Sequence, residues 1–334
     1  MTLSQTAIIA KQVITVSIIT LIVVILSLIG YRIWYSYYLA HLPPQEEKPD
    51  LKFGLLPTLD FPKASVSSSN YSYSIDTTTG NLPKVGVDKG FNKLIKVYFV
   101  TKTFASLLSS EKSQKLAEKF GITAKANILT DTKYQFEQEN KSLSVDLDSG
   151  NFAFKQEATP AGQENLDDDK KLISDFKDIL TNLGVLKEDL NKGRTKVMLL
   201  KNTAQISIWP ASIEGKDIFT PQFDSSLINA TIFKSADDIK NYLSLNYTYY
   251  PIELSTFATY PIKTSEQAFE DLKTGKGIVI IESNKPSVSI TSVSLGYFLT
   301  EKYSPYLQPI FVFQGPHFVS YVSAISPEYI GVSK

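Results

Sequence analysis

The chain has 334 residues and balances 34 Lys and Arg against 34 Asp and Glu, so it has no net field to draw in nucleic acid. Arginine is confined to Arg32 and Arg194, which removes the side chain that bidentate phosphate and guanine recognition leans on; no nucleic-acid partner is expected. There is no cysteine, which excludes thiol catalysis, cysteine-ligated zinc, iron–sulfur clusters and disulfides.

The first predicted element is the stretch Val13 to Gly30, VITVSIITLIVVILSLIG, free of charge and proline. As a helix it is roughly 27 Å long, close to the hydrocarbon thickness of a bilayer. Thr15, Ser17, Thr20 and Ser27 are tolerated because a hydroxyl bonds back to the carbonyl one turn earlier. Tyr31, Trp34, Tyr35, Tyr37 and Tyr38 follow as an interfacial belt. The apolar run is longer than that of a secretory signal, and bulky Tyr38 makes Tyr38-Leu39-Ala40 a poor cleavage site. Residues 13–30 therefore read as a retained single-pass anchor held by membrane lipid, with residues 1–12 as a short tail. Lys11 lies on one side and Arg32, Lys48 and Lys52 on the other, so the positive-inside rule barely favours either orientation. A Ser/Thr/Tyr-rich, thiol-free domain behind an anchor fits the extracytoplasmic face of a bacterial plasma membrane.

Residues 31–69 read as an aromatic juxtamembrane segment and a stalk, since Pro43, Pro44, Pro49, Pro57 and Pro62 forbid a continuous helix. The apolar beads Phe53, Leu55, Leu56, Leu59 and Phe61 predict that its second half lies against the folded domain. Residues 70–158 form a first α+β unit. Tyr71, Tyr73 and Ile75 alternate as a strand, Thr79-Gly80-Asn81 turns, and 95–100 is a further strand. A helix opens at Ser109 or Ser110, presents Leu116, Ala117 and Phe120, and closes at Gly121. Strands over 133–139, 142–147 and 151–156 follow.

Residues 159–334 form a second α+β region. Leu172, Ile173, Phe176, Ile179, Leu180 and Leu183 make an amphipathic helix ended by Gly184. Strands over 196–201, 204–210 and 227–233 precede a third predicted helix, opened by Ser235 with Asp238 as its capping-box partner and Ile239, Tyr242 and Leu243 facing inward. A fourth runs from Thr264, with Gln267 at the capping position, to Gly275. The last strands cover 276–282, 287–298, 307–314 and 318–325, the second with a slip in apolar phase between Ile290 and Val293 that indicates a bulge. The pattern predicts an α+β fold: a transmembrane helix, then repeated helix-plus-antiparallel-sheet units.

The carboxy-terminal residues carry a resemblance. TYPIKTSEQAFEDLKTG at 259–275, LGYF at 295–298, YLQPIFVF at 306–313 and YVSAI at 321–325 resemble the YycH/YycI family, departing where its members usually carry Trp (Phe311 here) and Asn (Ser323 here). The resemblance implies a PepSY-like layout of a helix packed on an antiparallel sheet. It also implies a single-pass extracytoplasmic protein that regulates a sensor histidine kinase of the cell wall.

Three triplets, Ser109-x-x-Lys112, Ser149-Gly150-Asn151 and Lys273-Thr274-Gly275, imitate the order used by active-serine penicillin-binding proteins. The third lies at a helix end rather than in a strand, and the second reads as a hairpin turn, so the expectation is a non-enzyme. Asp146 and Asp148 form a D-x-D that could hold a divalent ion, but Asp146 reads as facing solvent and Asp148 as starting a turn; Asp167-Asp168-Asp169 reads as charge complementing a helix amino terminus. Gly275-Lys276-Gly277 lacks the spacing of a phosphate loop. His41 and His317 are the only histidines, so no metal and no cofactor are expected. Asn70, Asn140, Asn229 and Asn246 head N-x-S/T triplets, which matter only in a eukaryotic secretory context. Two aromatic clusters remain; they read as core and cross-strand packing, the functional alternative being a partner surface formed by Tyr247, Tyr249, Tyr250, Tyr303 and Tyr306. The expected function is a membrane-anchored binding or regulatory protein acting on an unidentified membrane or envelope protein. The alternatives are an active-serine cell-wall enzyme or a structural envelope protein that holds polymer or glycan on aromatic rings.

Overall fold

A computed structural model describes residues 3–40, 48–83, 85, 94–158 and 166–331. The chain divides into two units, 1–47 and 48–334. The first is helix α1 (Leu3–Ala40), within which Ile14–Tyr38, 25 residues, is long and apolar enough to cross a membrane. The helix continues past the predicted end at Gly30, because Tyr31, Trp34, Tyr35 and Tyr38 stack along one face at i, i+3 and i+4 spacings, with ring centroids 5.7–6.2 Å apart. The Thr20 hydroxyl donates to the Val16 carbonyl at 2.9 Å, the expected back-bond.

The second unit runs β1 (Ser72–Ile75), β2 (Leu94–Val100), α2 (Ser109–Lys119), β3 (Asn127–Thr130), β4 (Lys133–Gln138), β5 (Lys141–Asp146), β6 (Phe152–Gln156), α3 (Asp169–Leu183), α4 (Glu188–Asn191), β7 (Thr195–Leu200), β8 (Thr203–Ile208), β9 (Ile218–Phe219), β10 (Ile228–Ile232), β11 (Tyr242–Tyr247), β12 (Ile252–Pro261), α5 (Ser265–Lys273), β13 (Ile278–Ile281), β14 (Ser287–Ile290), β15 (Ser292–Phe298), β16 (Tyr306–Gly315) and β17 (Phe318–Ser323). The fold is α+β, as the sequence predicts. One sheet has eight antiparallel strands in the order β3-β4-β5-β6-β11-β10-β8-β7. The other follows β12-β2-β16-β15-β9, with β17 on β16 and β13 on β17. A parallel pair, β1 with β14, completes the set.

Each sheet gains its core from the helices that follow the apolar period. In α3, Leu172, Phe176 and Leu180 are fully buried on one stripe, the Asp168 carboxylate caps the first turn through the Lys171 amide, and Gly184 closes it at a φ of 81°. With Ala117 and Phe120 of the α2 region they cover one face of the eight-stranded sheet. In α5, Thr264 and Gln267 form both hydrogen bonds of a capping box. Ala268, Leu272 and Phe269 pack with Phe313, Phe318 and Val322 on the second sheet, the helix-on-sheet layout expected for this end of the chain. The stalk beads also pack: Leu56 is buried, Phe53 stacks on Tyr306 at 4.7 Å, and Phe61 meets Phe298 at 4.9 Å. Leu55 alone stays exposed.

Two sequence expectations are corrected. The helix predicted from Ser235 is a single 3-10 turn, Ile239–Asn241, capped by Asp238 through the Lys240 amide, followed at once by β11. Residues 242–247 are claimed by pairing on both sides, with β6 and with β10, which satisfies a central strand's backbone and buries Tyr242, Leu245 and Tyr247 on one face. The strand predicted over 287–298 is two strands. It breaks at Thr291, whose amide and hydroxyl both donate to the Gln314 carbonyl, and the halves pair with different partners, β14 with β1 and β15 with β16. The phase slip marks that break. Strands β3, β9 and β12 and the short α4 carried too little pattern to be read in advance.

Candidate functional site

Side chains alternate across a strand, so the register of the eight-stranded sheet settles what each face presents. On one face Phe136, Leu143, Phe154, Leu245, Ala230, Ile206 and Val197 are successive cross-strand neighbours from β4 to β7, packed under α2 and α3. The opposite face carries a hydrophilic row in the same register: Gln135, Ser144, Ala153, Asn246, Asn229, Ser207 and Lys196. A second row two residues along reads Glu137, Ser142, Lys155, Ser244, Thr231, Gln205 and Met198. Among the described residues no helix packs on this face, and Ser144 and Lys155 are exposed at its middle.

The face holds two depressions. One, about 560 Å³, is lined by Asp146, Asn151, Asn229, Asn246 and Thr248, with Gln222 and Ser226 closing one flank and Glu301 another. Here the Asn246 amide donates to the Asn229 side-chain carbonyl at 3.1 Å, and the Asn229 amide donates to the Ser226 carbonyl at 2.6 Å. The other, about 500 Å³, lies over Glu137, Ser142, Lys155 and Ser244. These groups offer amide and hydroxyl donors and acceptors with scattered charges of both signs. Such a surface matches a polar, largely neutral partner. Among the described residues, no three His, Asp or Glu side chains come together as a metal site.

The candidate tyrosines lie elsewhere. Tyr247 is buried, stacks on Phe152 at 5.3 Å and donates to the Val185 carbonyl at 2.8 Å, so it belongs to the core and presents no surface. Tyr249, half-buried, donates to both oxygens of the Asp189 carboxylate at 3.1–3.2 Å. Burial first, then that carboxylate, pushes its phenol well up. Tyr250 and Tyr303 meet edge to face at 5.8 Å and donate to the carbonyls of Glu301 and Val100; burial pushes both phenols up. Tyr306 lies between Phe53 and Phe99. The five rings are thus shared between two cores, with Tyr247 and Tyr249 in one and the other three in the second.

The active-serine triplets are brought together only in part. Ser109, Lys112 and Gly150 line one cleft, but the Ser109 hydroxyl accepts the Ser106 amide at 2.9 Å. Lys273-Thr274-Gly275 ends α5 on the other sheet, with the Thr274 hydroxyl bonded back to the Glu270 carbonyl, and does not line that cleft. Asp146, expected to face solvent, is instead the turn's acceptor, half-buried and taking the Asp148 and Ser149 amides and the Ser149 hydroxyl on one oxygen. His317 holds the β16–β17 turn at a φ of 54°, and His41 lies outside the described residues. Arg194 stacks over the buried Trp209 ring at 4.2 Å. The polar face itself is not evident from the sequence. Its signal is the polar residues at alternate positions in 142–146, 151–155 and 244–248, interrupted only by Ala153, but the face emerges only once the strand order is known.

No family model matches the chain, and no curated protein matches it. Among solved structures it is similar to the YpeB C-terminal domain of Bacillus megaterium, at 9% identity over 68% of this chain and 95% of that one, with a TM-score of 0.34. It is also similar to an uncharacterized protein from Eubacterium rectale, at 11% identity over 86% of this chain and 96% of that one, with a TM-score of 0.37. At these scores neither likeness assigns the chain to a family.

Proposed function

We propose that this chain is a single-pass, membrane-anchored extracytoplasmic protein that performs no chemistry of its own and regulates a membrane or envelope protein by binding it. The observation that carries the binding reading is the hydrophilic face of the eight-stranded sheet, two rows with no helix over them among the described residues, open over β4, β5 and β6 and covered by residues 224–226 at the β8–β7 end. A sheet covered on one side and open on the other is common; an open side with two depressions lined by asparagine, serine and charged groups is suited to a polar partner. The span in α1 would hold that face at the membrane and raise its effective concentration for a neighbouring membrane protein. The resemblance of residues 259–325 to the YycH/YycI family favours a sensor kinase as the kind of partner.

Photo-crosslinking residues introduced singly at Ser144, Lys155 and Asn229 test this in native membranes, with Lys170 on α3 as the control. The expected result is one membrane or envelope protein recovered from the three sheet-face positions and not from Lys170. Failure to recover any protein from the face, or equal recovery from Lys170, would contradict it.

A further inference from the structure

Separate from the sheet face, the segment leading into α2 presents apolar side chains to solvent. Leu107 is 102% exposed, Phe104 70% and Leu108 56%, three large apolar groups within five residues. Scattered exposed leucines are ordinary, but a contiguous tip of this kind marks a contact surface. The tip is held in shape: the Ala105 amide donates to the Asp148 carboxylate at 2.8 Å, and the Ser106 amide to the Ser109 hydroxyl at 2.9 Å.

Beside the tip runs a row of lysines. Lys112, Lys115 and Lys119 recur at i, i+3 and i+7 on α2 and line a cleft of about 380 Å³ whose apolar walls include Leu116, Val145 and Leu183. Lys102 lies over the Phe104 ring at 5.2 Å. Glu111 pairs with Lys115 at 2.6 Å and the Lys119 ammonium donates to the Asn182 carbonyl at 2.6 Å, so the positive character is a net excess: residues 102–119 hold four lysines against Glu111 and Glu118. The chain as a whole is neutral, so the positive character is local.

An apolar tip flanked by an exposed excess of ammonium groups is complementary to one kind of surface, an anionic bilayer, whose acyl region takes the leucines while its phosphates meet the lysines. We infer that residues 102–119 form a second membrane contact, in which Phe104, Leu107 and Leu108 enter the interface of an anionic phospholipid bilayer and Lys112, Lys115 and Lys119 bind its headgroups. The bilayer concerned is the one in which α1 is proposed to sit, so this contact rests on that reading. It would fix the face that the domain turns to the membrane.

The chain's lack of cysteine allows a clean test. The full chain carrying Ala105→Cys, labelled with an environment-sensitive dye, is reconstituted into phosphatidylcholine vesicles with and without phosphatidylglycerol. Vesicle flotation reads the insertion of α1, while quenching of the dye by chain-brominated lipid reads the tip, so the two readings fail separately. The expected result is a blue shift and several-fold stronger quenching in the anionic vesicles. That gain should be lost in Leu107→Ser and in the triple variant Lys112→Glu, Lys115→Glu, Lys119→Glu, each checked for a parent-like fold by circular dichroism, with Lys112→Glu alone, at a position outside the Glu111 and Asn182 contacts, losing part of it. A dye at Leu254→Cys, on the second sheet, should respond to neither lipid. Equal quenching in neutral and anionic vesicles, quenching unchanged by the triple substitution, or a tip that stays in water and crosslinks to a protein would each overturn the inference.

Discussion

Removing the charge of Asp271 should unfasten α5 from the sheet that supports it. Its two carboxylate oxygens each hold an ammonium at 2.9 Å, Lys263 on one and Lys276 on the other, and the Lys263 amine also donates to the Ser323 carbonyl at 2.9 Å. The Asp271 and Lys263 side chains are only 13% and 11% exposed, whereas Lys276 is 71% exposed. The buried pair therefore dominates, because the outer lysine is screened and contributes under about 1 kcal/mol. Deleting one partner of a buried pair strands the other charge, at about 3–5 kcal/mol. Asp271→Asn should thus lose about 3 kcal/mol in urea denaturation followed by Trp fluorescence, or roughly 6–9 °C in Tm for a domain of this size. Lys276→Met should cost about 1 kcal/mol or less, and the double variant Lys263→Met, Asp271→Leu should recover most of the loss. Burial on its own pushes the Asp271 carboxyl up, but the two lysines outweigh it and hold it below the ordinary range. A carboxyl depressed on folding contributes stability that is complete at neutral pH and is lost as the pH falls below about 4 through the folded value. Asp271→Asn should lack that part of the acid dependence. If Asp271→Asn stays within about 1 kcal/mol of the parent, or Lys276→Met matches its cost, the assignment of the energy to the buried pair is wrong.

Three further outcomes are expected. A Cβ on Gly296 would lie 2.4 Å from the Phe219 ring and 2.6 Å from the Asp217 carbonyl, so Gly296→Ala should lower stability by about 1–3 kcal/mol in the same urea assay and separate β9 from β15. Thr264→Ala removes one arm of the α5 capping box and should cost about 1 kcal/mol by urea denaturation, while Thr264→Ser retains most of the parent stability. In an alkaline titration followed by phenolate absorbance, Tyr98 is pushed up to about 12 by burial and by the Glu214 carboxylate, and burial drives Tyr242, Tyr297 and Tyr321 higher still. Phenols raised on folding contribute stability that is lost as the pH climbs past the ordinary value of about 10, so they should ionise together with loss of circular dichroism; separate ionisation of a native Tyr242 near 10 would contradict their burial.

The sequence shows the fold wherever local pattern and tertiary demand agree. The α3 stripe of Leu172, Phe176 and Leu180, its Asp168 cap and its Gly184 stop all say the same thing, and so do Thr264 and Gln267 of α5. It misleads where they conflict. Ser235 and Asp238 advertise a helix, but the open pairing edges of β6 and β10 take residues 242–247 as a strand. The candidate site was the least legible part. Aromatic density in the sequence is compatible with core or surface; the structure buries Tyr247 in a core and leaves Tyr249, Tyr250, Tyr303 and Tyr306 half-buried against the two cores. The hydrophilic face is assembled by register across seven strands, from residues as far apart as Gln135 and Asn246, and no local window contains it.

The claim on which the rest depends is that α1 is retained in the membrane and that residues 48–334 stand outside the cell. Protease treatment of intact cells expressing the full chain with an epitope at each terminus measures both. The proposal predicts that the carboxy-terminal epitope is degraded in intact cells while a short amino-terminal fragment stays protected and resists carbonate extraction. A carboxy-terminal domain that is protected until the cells are lysed, or that is recovered as a processed product in the medium, would contradict it.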